Sequence, residues 1–428
     1  MLIRFTVTNY LSFREPATLN MVKSRERQLP DHACPKEVNG YKLLRGAIIY
    51  GANAAGKSNL IHCLQTARDF IVHGTEIPQY RAFRLDPKTE RMPASFDFEF
   101  VIAERTFAYG FEVLDSLVVK EWLYEIQFRK DDRLIYKRET SEGKPKVILG
   151  QGAKKALGSK VKQKSLEDLM NAAPSDKLII FDLKDRNITE LVGDEAEHLL
   201  FLVYAWFRTK LEITRVGAKA DPYDLERYFE ENDEEFREKI EKVLKLADTG
   251  IARLALQEYD GELSAVFPSR TIIEHLHSLK DDERIFVQFE RRRYLAARKD
   301  GKLSVKRLMV VRKNRDGEDK LFELNEESDG TRRIIDLASL FLKDSTERVL
   351  VIDEMDRSLH PVITKMFHNM HYSAGSNSQL IVATHEHYLL SQEFYRRDEI
   401  WFVEKDQFGC SALYSLADYE TSVRFDKD

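Results

Sequence analysis

The stretch GANAAGKS, residues 51–58, constrains this chain more than any other. It matches G-x-x-x-x-G-K-[ST], with Gly51, Gly56, Lys57 and Ser58 at the fixed places. Such a loop works where it leaves a buried strand and opens a helix, because backbone N–H groups and the helix start then surround a phosphate together. Both flanks are present. Residues 43–50, LLRGAIIY, form an apolar run, and Leu60, Leu64, Ala67 and Ile71 recur at helical spacing. The residues expected to contact a nucleotide are Gly51, Asn53, Gly56, Lys57, Ser58 and Asn59. Lys57 would reach the β- and γ-phosphates, and Ser58 would bind Mg²⁺.

Two later apolar runs end in groups suited to the same ligand. VLVIDE, residues 349–354, reads as a buried strand with Asp353 at its C-terminal end, where an open α/β sheet presents ligand-binding groups. Asp353 is expected to hold the water shell of Mg²⁺. Glu354 beside it is placed to polarise an attacking water, which favours hydrolysis over transfer to a second substrate. LIVATH, residues 380–385, ends in His385, whose imidazole could contact the γ-phosphate and sense its loss. The expected catalytic set is Lys57, Glu354 and His385, with Ser58 and Asp353 as metal ligands and ATP as cofactor.

The segment ESDGTRR, residues 327–333, lies at a strand-to-helix junction and carries no hydrophobic residue. Ser328 or Asp329 could cap the helix that follows, and taken alone that reading is sufficient. Ile334, Leu337, Ala338 and Phe341 would give that helix its core face.

Around these motifs, the runs 95–102, 106–114 and 118–128 alternate with period two and predict an antiparallel meander between residues 95 and 138. From about residue 165 to 298 the pattern is mostly helical. The expected organisation is an ATPase head built from residues 1–140 and 303–428, with a mostly helical insertion over 141–302. With 43% hydrophobic and 32% charged residues the composition is that of a soluble globular protein. The longest apolar run, residues 199–207, is far shorter than the ~20 residues a membrane-spanning helix needs. Cys34, Cys63 and Cys410 are too scattered for a disulfide framework or a CxxC metal pair. With no secretion signal at the N-terminus, a cytoplasmic location without membrane contact is expected. Net charge is only −5, yet residues 291–315 hold 11 Lys or Arg against one acid, Asp300. A second cluster runs through Lys154, Lys155, Lys160, Lys162 and Lys164. Either could meet nucleic-acid phosphates or be a solvated face.

The order of phosphate loop, ESDGTRR, VLVIDE, a D-x-SLHP turn and ATH resembles the ATP-binding cassette class of ATPases, including its SMC and RecF-like branch. With NYLSF at residues 9–13, ATHEHYLLS at 383–391 and RRDEIWFVEKDQFGCSALYSLADY at 396–419, the chain further resembles the cassette-type, AAA-annotated ATPases of bacterial anti-phage systems, AbiL and RloA type, with the PARIS ATPase as a near relative. The resemblance covers roughly residues 1–125 and 303–420. It implies an α/β head of ABC type with an antiparallel β subdomain, a homo-oligomer with composite ATP sites, and a role for Ser328 and Gly330 at the γ-phosphate of ATP held by another subunit. It also implies a Toprim-fold nuclease encoded nearby and acting in trans, since only 43 residues follow His385 (428 − 385), with a phage protein as a possible trigger. No glutamine matches the Q-loop clearly; Gln79 is a candidate, as is Phe13 for the adenine. The other reading is a RecF/SMC-like ATPase of DNA repair or recombination that grips DNA through the 291–315 stripe.

Overall fold

The computed structural model describes residues 1–74, 82–184, 186, 194–215, 223–231, 233–289, 292–343 and 346–418. Two compact units emerge: Met1–Val216 with Ser345–Met355 and Gly375–Asp428, and Gly217–Asp344 with Asp356–Ala374.

The first unit is built on two sheets. One has six strands in the order Ser411–Ser415, Ile400–Lys405, Gly46–Tyr50, Gln379–Ala383, Val349–Ile352 and Leu211–Thr214. All neighbours pair parallel except the antiparallel edge strand Ser411–Ser415. Strands buried on both faces read as continuous apolar runs, which is why GAIIY, VLVI and QLIVA carry no alternation. The second sheet is antiparallel, in the order Ala17–Asn20, Leu2–Thr8, Ala94–Ile102, Arg105–Leu114, Leu117–Ile126, Arg133–Ser141 and Lys144–Leu149. The expected meander is therefore present, extended at both ends. The helix Lys57–His73 buries Leu60, Ile61, Leu64, Ala67, Phe70 and Ile71 in the core that the two sheets share. Phe98, Phe100, Trp206 and Phe207 form an aromatic cluster there, with the Phe100 and Trp206 rings stacked at 4.4 Å. The sheets are also tied by one buried amide: Gln379 accepts from Leu2 N at 2.6 Å and donates to Leu2 O and Leu44 O at 2.9 and 3.0 Å.

Much of the C-terminal motif RRDEIWF serves this fold. Arg396 is fully buried and donates to Asp398 at 2.9 and 2.8 Å and to the carbonyl of Glu26 at 3.1 Å. Glu399, also fully buried, faces His32 Nδ1 at 2.8 Å. These groups pin residues 24–32 to the strand Ile400–Lys405.

The second unit departs from the expected organisation. The segment 141–302 contains helices, but Arg253–Glu258, Arg284–Phe289 and Arg292–Lys299 are strands that assemble with Lys302–Lys313 and Asp319–Glu323 into an antiparallel sheet. Leu211–Thr214 joins the parallel sheet of the first unit. The unit boundaries fall at 216/217, 344/345, 355/356 and 374/375, against the expected 140/141 and 302/303. Short strands such as RLALQE carry too weak an alternation to stand out from the helices around them. Among the described residues no helix is long and apolar enough to cross a membrane.

One position in the meander makes pH a probe of the fold. Asp97, Gly110 and Trp122 lie opposite one another on three adjacent strands. A side chain on Gly110 would meet the Trp122 ring at 2.4 Å and Asp97 Oδ2 at 2.8 Å, so the glycine is the space through which Trp122 Nε1 donates to Asp97 at 2.9 Å. Burial pushes the Asp97 carboxyl up to about 6 despite that bond. The unfolded chain ionises near 3.9, so the folded state holds the extra proton between pH 4 and 6 and loses stability as pH rises through that window. Asp97→Asn keeps an acceptor for Trp122 and should raise stability at pH 7.5 by roughly 1–3 kcal/mol, with little gain at pH 4. Urea unfolding midpoints at the two pH values check this; an equal gain at both would contradict it.

Candidate nucleotide site

Three motifs distant in sequence meet because three strands run side by side. Gly46–Tyr50, Gln379–Ala383 and Val349–Ile352 are consecutive and parallel, with Ala383 opposite Ile49 and Ile352 opposite Val382. Their C-terminal ends open at one edge, the side where such sheets bind ligands. There the chain places the 51–58 loop, Asp353 with Glu354, and Thr384 with His385.

The loop is shaped by close backbone approach. A Cβ on Gly51 would lie 2.3 Å from the carbonyl oxygen of Val403, so no other residue fits without displacing that strand. Lys57 is buried and donates to Gly51 O at 2.7 Å and Ala52 O at 3.1 Å, folded over the mouth of the loop. Its ammonium stands 3.4 Å from His385 Nδ1, which must accept because an ammonium only donates. Two of the expected catalytic groups are thus neighbours. Ser58 Oγ donates to Asp353 Oδ1 at 3.2 Å, which joins the two expected metal ligands as well.

Burial raises the Asp353 carboxyl; the Ser58 hydrogen bond and the Lys57 charge pull it back, and Glu354 adds to the rise. Two adjacent carboxylates and a hydroxyl at a strand end are hard oxygen donors with surplus negative charge, a set that fits Mg²⁺. Glu354 adopts φ 45°, a left-handed conformation that costs a non-glycine residue energy. It is held between Asp353, whose N–H donates to Thr214 O at 2.9 Å, and Met355, whose N–H donates to Ala383 O at 3.4 Å.

Of the other expected contacts, Asn53 is exposed at the loop tip, while Asn59 turns aside and donates to Ser12 Oγ at 2.8 Å. Beside it opens a cavity of about 750 Å³ lined by Ser12, Asn59, Phe83, Arg84, Lys405 and Gly409. Phe13, the adenine candidate, is fully buried in the hydrophobic core and offers no face to a base. Gln79 lies outside the described residues.

Ser328 and Gly330 belong to the second unit. Ser328 is the N-cap of the helix Asp329–Leu342 and accepts from Thr331 N at 3.1 Å. The helix buries Ile334, Ile335, Leu337, Ala338 and Leu340; Phe341 is half-buried and meets the Phe367 ring at 5.2 Å. A Cβ on Gly330 would fall 2.7 Å from the carbonyl oxygen of Ser358, in the D-x-SLHP turn, so the glycine lets those two motifs touch. The polar character of ESDGTRR is partly structural: Arg332 donates to the carbonyls of Leu324, Asn325 and Glu327 and pairs with Asp329, which fixes the approach to the helix.

The basic stripe is largely spent on ion pairs. Arg292 and Arg307 both contact Glu323 at 2.6 Å, Arg293 is buried between Glu226 at 2.5 Å and Asp336 at 3.2 Å, Arg312 contacts Glu327 at 2.7 Å and Lys313 contacts Asp319 at 2.5 Å. Arg291 lies outside the described residues. In the other lysine cluster, Lys154, Lys155, Lys160 and Lys164 are exposed, with Lys164 paired to Asp168 at 2.7 Å.

A family model described as "AAA domain, putative AbiEii toxin, Type IV TA system" matches residues 47–391, which span the loop, Asp353 and His385. The chain belongs to this family of AAA ATPase domains. Among solved structures, the ATPase is similar to the SMC head domain from Thermotoga maritima, with 14% identity, 97% of this chain and 98% of that one covered, and a TM-score of 0.38. It is also similar to an SMC head bound to the C-winged helix domain of ScpA, with 13% identity, 97% of each chain covered and a TM-score of 0.44. An SMC head with an extended coiled coil, bound to the C-terminal domain of ScpA derived from Pyrococcus furiosus, has 12% identity, coverage of 97% and 96%, and a TM-score of 0.40. No curated protein matches the sequence.

The pair Arg312–Glu327 tests how the ATPase supports its ESDGTRR segment. Glu327 is buried and receives Arg312 through two bonds, at 3.2 and 2.7 Å. Arg312→Met strands that carboxylate and should cost about 2–4 kcal/mol, most of it recovered in Arg312→Met/Glu327→Gln. Thermal or urea unfolding of both variants measures this; no recovery in the double variant would show that Arg312 acts through packing instead.

Proposed function

We propose that the protein is the ATP-hydrolysing, switch-like component of an anti-phage defence system, in which ATP-dependent assembly of its own copies controls a Toprim-type nuclease acting in trans. The observation that carries this reading is the meeting of Lys57, Ser58, Asp353 and His385 at one sheet edge, with Lys57 3.4 Å from His385 and Ser58 3.2 Å from Asp353. The family description, which names an AbiEii toxin and a Type IV TA system, supports the defence setting.

In this reading the 51–58 loop cradles the phosphates, and Lys57 leaves its carbonyl partners to meet the γ-phosphate. Ser58 and Asp353 would hold Mg²⁺, which supplies charge neutralisation on the phosphates when bound. Glu354 orients and deprotonates the attacking water, and its strained backbone fixes the carboxylate's direction. His385 senses the γ-phosphate through the side facing Lys57. The cavity beside Asn59 takes the adenosine half. Ser328 and the helix start at Asp329 complete the site of a second copy, in the manner of a composite cassette site. A DNA-gripping repair ATPase is the less favoured reading, because Arg292, Arg293, Arg307 and Arg312 have acidic partners within the fold.

Three variants test the assignment. Lys57→Ala should weaken ATP binding at least tenfold, whereas Glu354→Gln should bind ATP normally but lose turnover by ~10²–10³-fold. Solution mass of Glu354→Gln should rise with Mg²⁺-ATP, and Ser328→Arg in the same background should abolish the rise while leaving ATP affinity within about twofold. A mass indifferent to ATP, or equal loss of binding in Lys57→Ala and Glu354→Gln, would refute the composite site.

A further inference from the structure

Two serines outside the expected site residues stand behind the phosphate loop. Ser12, from NYLSF, and Ser411, from FGCSALYS, are both buried, and Ser411 N donates to Ser12 O at 2.7 Å. Their hydroxyls are 2.8 Å apart. Ser411 Oγ also lies 2.6 Å from the carbonyl oxygen of Ala55, and Asn59 Nδ2 donates to Ser12 Oγ at 2.8 Å.

Proton counting fixes the direction of this chain. A carbonyl only accepts, so the single Ser411 proton goes to Ala55 O; Ser411 must then accept from Ser12, which in turn accepts from Asn59. The run is Asn59 N–H to Ser12 O–H to Ser411 O–H to Ala55 C=O, with every hydroxyl both donating and accepting, an arrangement in which each bond polarises the next.

The end of that run is the peptide between Ala55 and Gly56. In a trans peptide the C=O and N–H point in opposite directions. Holding the Ala55 carbonyl toward Ser411 therefore turns the Gly56 N–H the other way, away from the serines, and keeps that carbonyl off the opposite side. The steric fit agrees. Gly56 has φ 124°, and a Cβ there would meet Ser411 Oγ at 2.4 Å and Ser12 Oγ at 3.1 Å. The second glycine of the loop thus answers to the serines as well as to the phosphate.

We propose that Ser12 and Ser411 are positioning residues of the nucleotide site: a hydrogen-bonded strut that sets the Ala55–Gly56 peptide so the loop's N–H groups face phosphate. This rests on the reading of residues 51–58 as a phosphate loop, and it extends that reading to a hairpin more than 350 residues further along the chain.

The test is calorimetric binding of ATP and of pyrophosphate, which occupies the phosphate cradle without an adenosine, to wild type, Ser411→Ala, Ser12→Ala and the double variant. Ser411→Ala should weaken both ligands about tenfold, the loss of roughly one hydrogen-bond's worth of orientation. Ser12→Ala should weaken them by about fivefold, and the double variant should be no weaker than Ser411→Ala, because the strut acts as one unit. Unchanged affinity with a lowered melting temperature of the nucleotide-free protein would overturn the proposal and reduce the serines to packing. So would a loss confined to ATP, which would place their action in the neighbouring cavity. Wild type binding neither ligand, and behaving like Lys57→Ala, would overturn the phosphate-loop reading itself, a result distinct from either.

Discussion

The parallel pairing of Gly46–Tyr50 with Gln379–Ala383, and of that strand with Val349–Ile352, is the constraint on which the rest of this molecule depends. Parallel neighbours end together, so strand ends from positions near 50, 353 and 384 arrive at one edge without any loop having to reach across. Antiparallel pairing of the middle strand would send His385 to the opposite edge and separate it from Lys57. Because all three strands are buried on both faces, their registers are held by packing as well as by backbone hydrogen bonds. The site can therefore carry strain, such as the left-handed Glu354, that an exposed loop would relax.

That edge is also where charge is hardest to keep. Lys57 and Asp353 are buried, and the loop's carbonyls sit close to where an anion would bind. The chain handles each group locally: the ammonium rests on Gly51 O and Ala52 O, Asp353 takes the Ser58 hydroxyl, and the Ala55 carbonyl is drawn away by Ser411. All are bonds that can be exchanged for bonds to a ligand or kept as its frame. A buried site with unsatisfied groups would be costlier to hold open. The same economy appears in the second unit, where arginines that look like a nucleic-acid face from sequence are consumed by Glu226, Glu323, Glu327 and Asp336.

Legibility in the sequence followed the range of the interactions. The phosphate loop, VLVIDE and LIVATH were readable because each is a contiguous run whose spacing reflects one local geometry: strand, turn, helix start. The antiparallel meander was readable for the same reason between residues 95 and 138, whereas its last strand, Lys144–Leu149, lay beyond the expected range. What could not be read was pairing across distance. The strands Arg253–Glu258 and Arg284–Phe289 carry mixed patterns that only their partners make sense of. Ion pairs such as Arg293 with Glu226 join residues whose charges, taken one at a time, suggest solvent or phosphate. Phe13 is the reverse case: an aromatic near the N-terminal strand is a candidate for the adenine, but the core of the first unit takes its ring entirely.

Glycines show most directly how local motif and distant partner constrain each other. Gly51, Gly56 and Gly330 each occupy a place where another segment's oxygen comes within 2.3 to 2.7 Å of a would-be Cβ: Val403 O, Ser411 Oγ and Ser358 O. In each case the second segment lies in a motif that the sequence marks independently, the C-terminal hairpin for the first two and the D-x-SLHP turn for the third. A glycine in a phosphate loop is usually credited to the phosphate. Here the protein side of the loop demands it just as strongly, since an added methyl group at Gly51 or Gly56 would have to displace a strand carbonyl or a bonded hydroxyl before any ligand arrived. The spacing of the loop motif and the placement of the C-terminal hairpin are two expressions of one packing requirement.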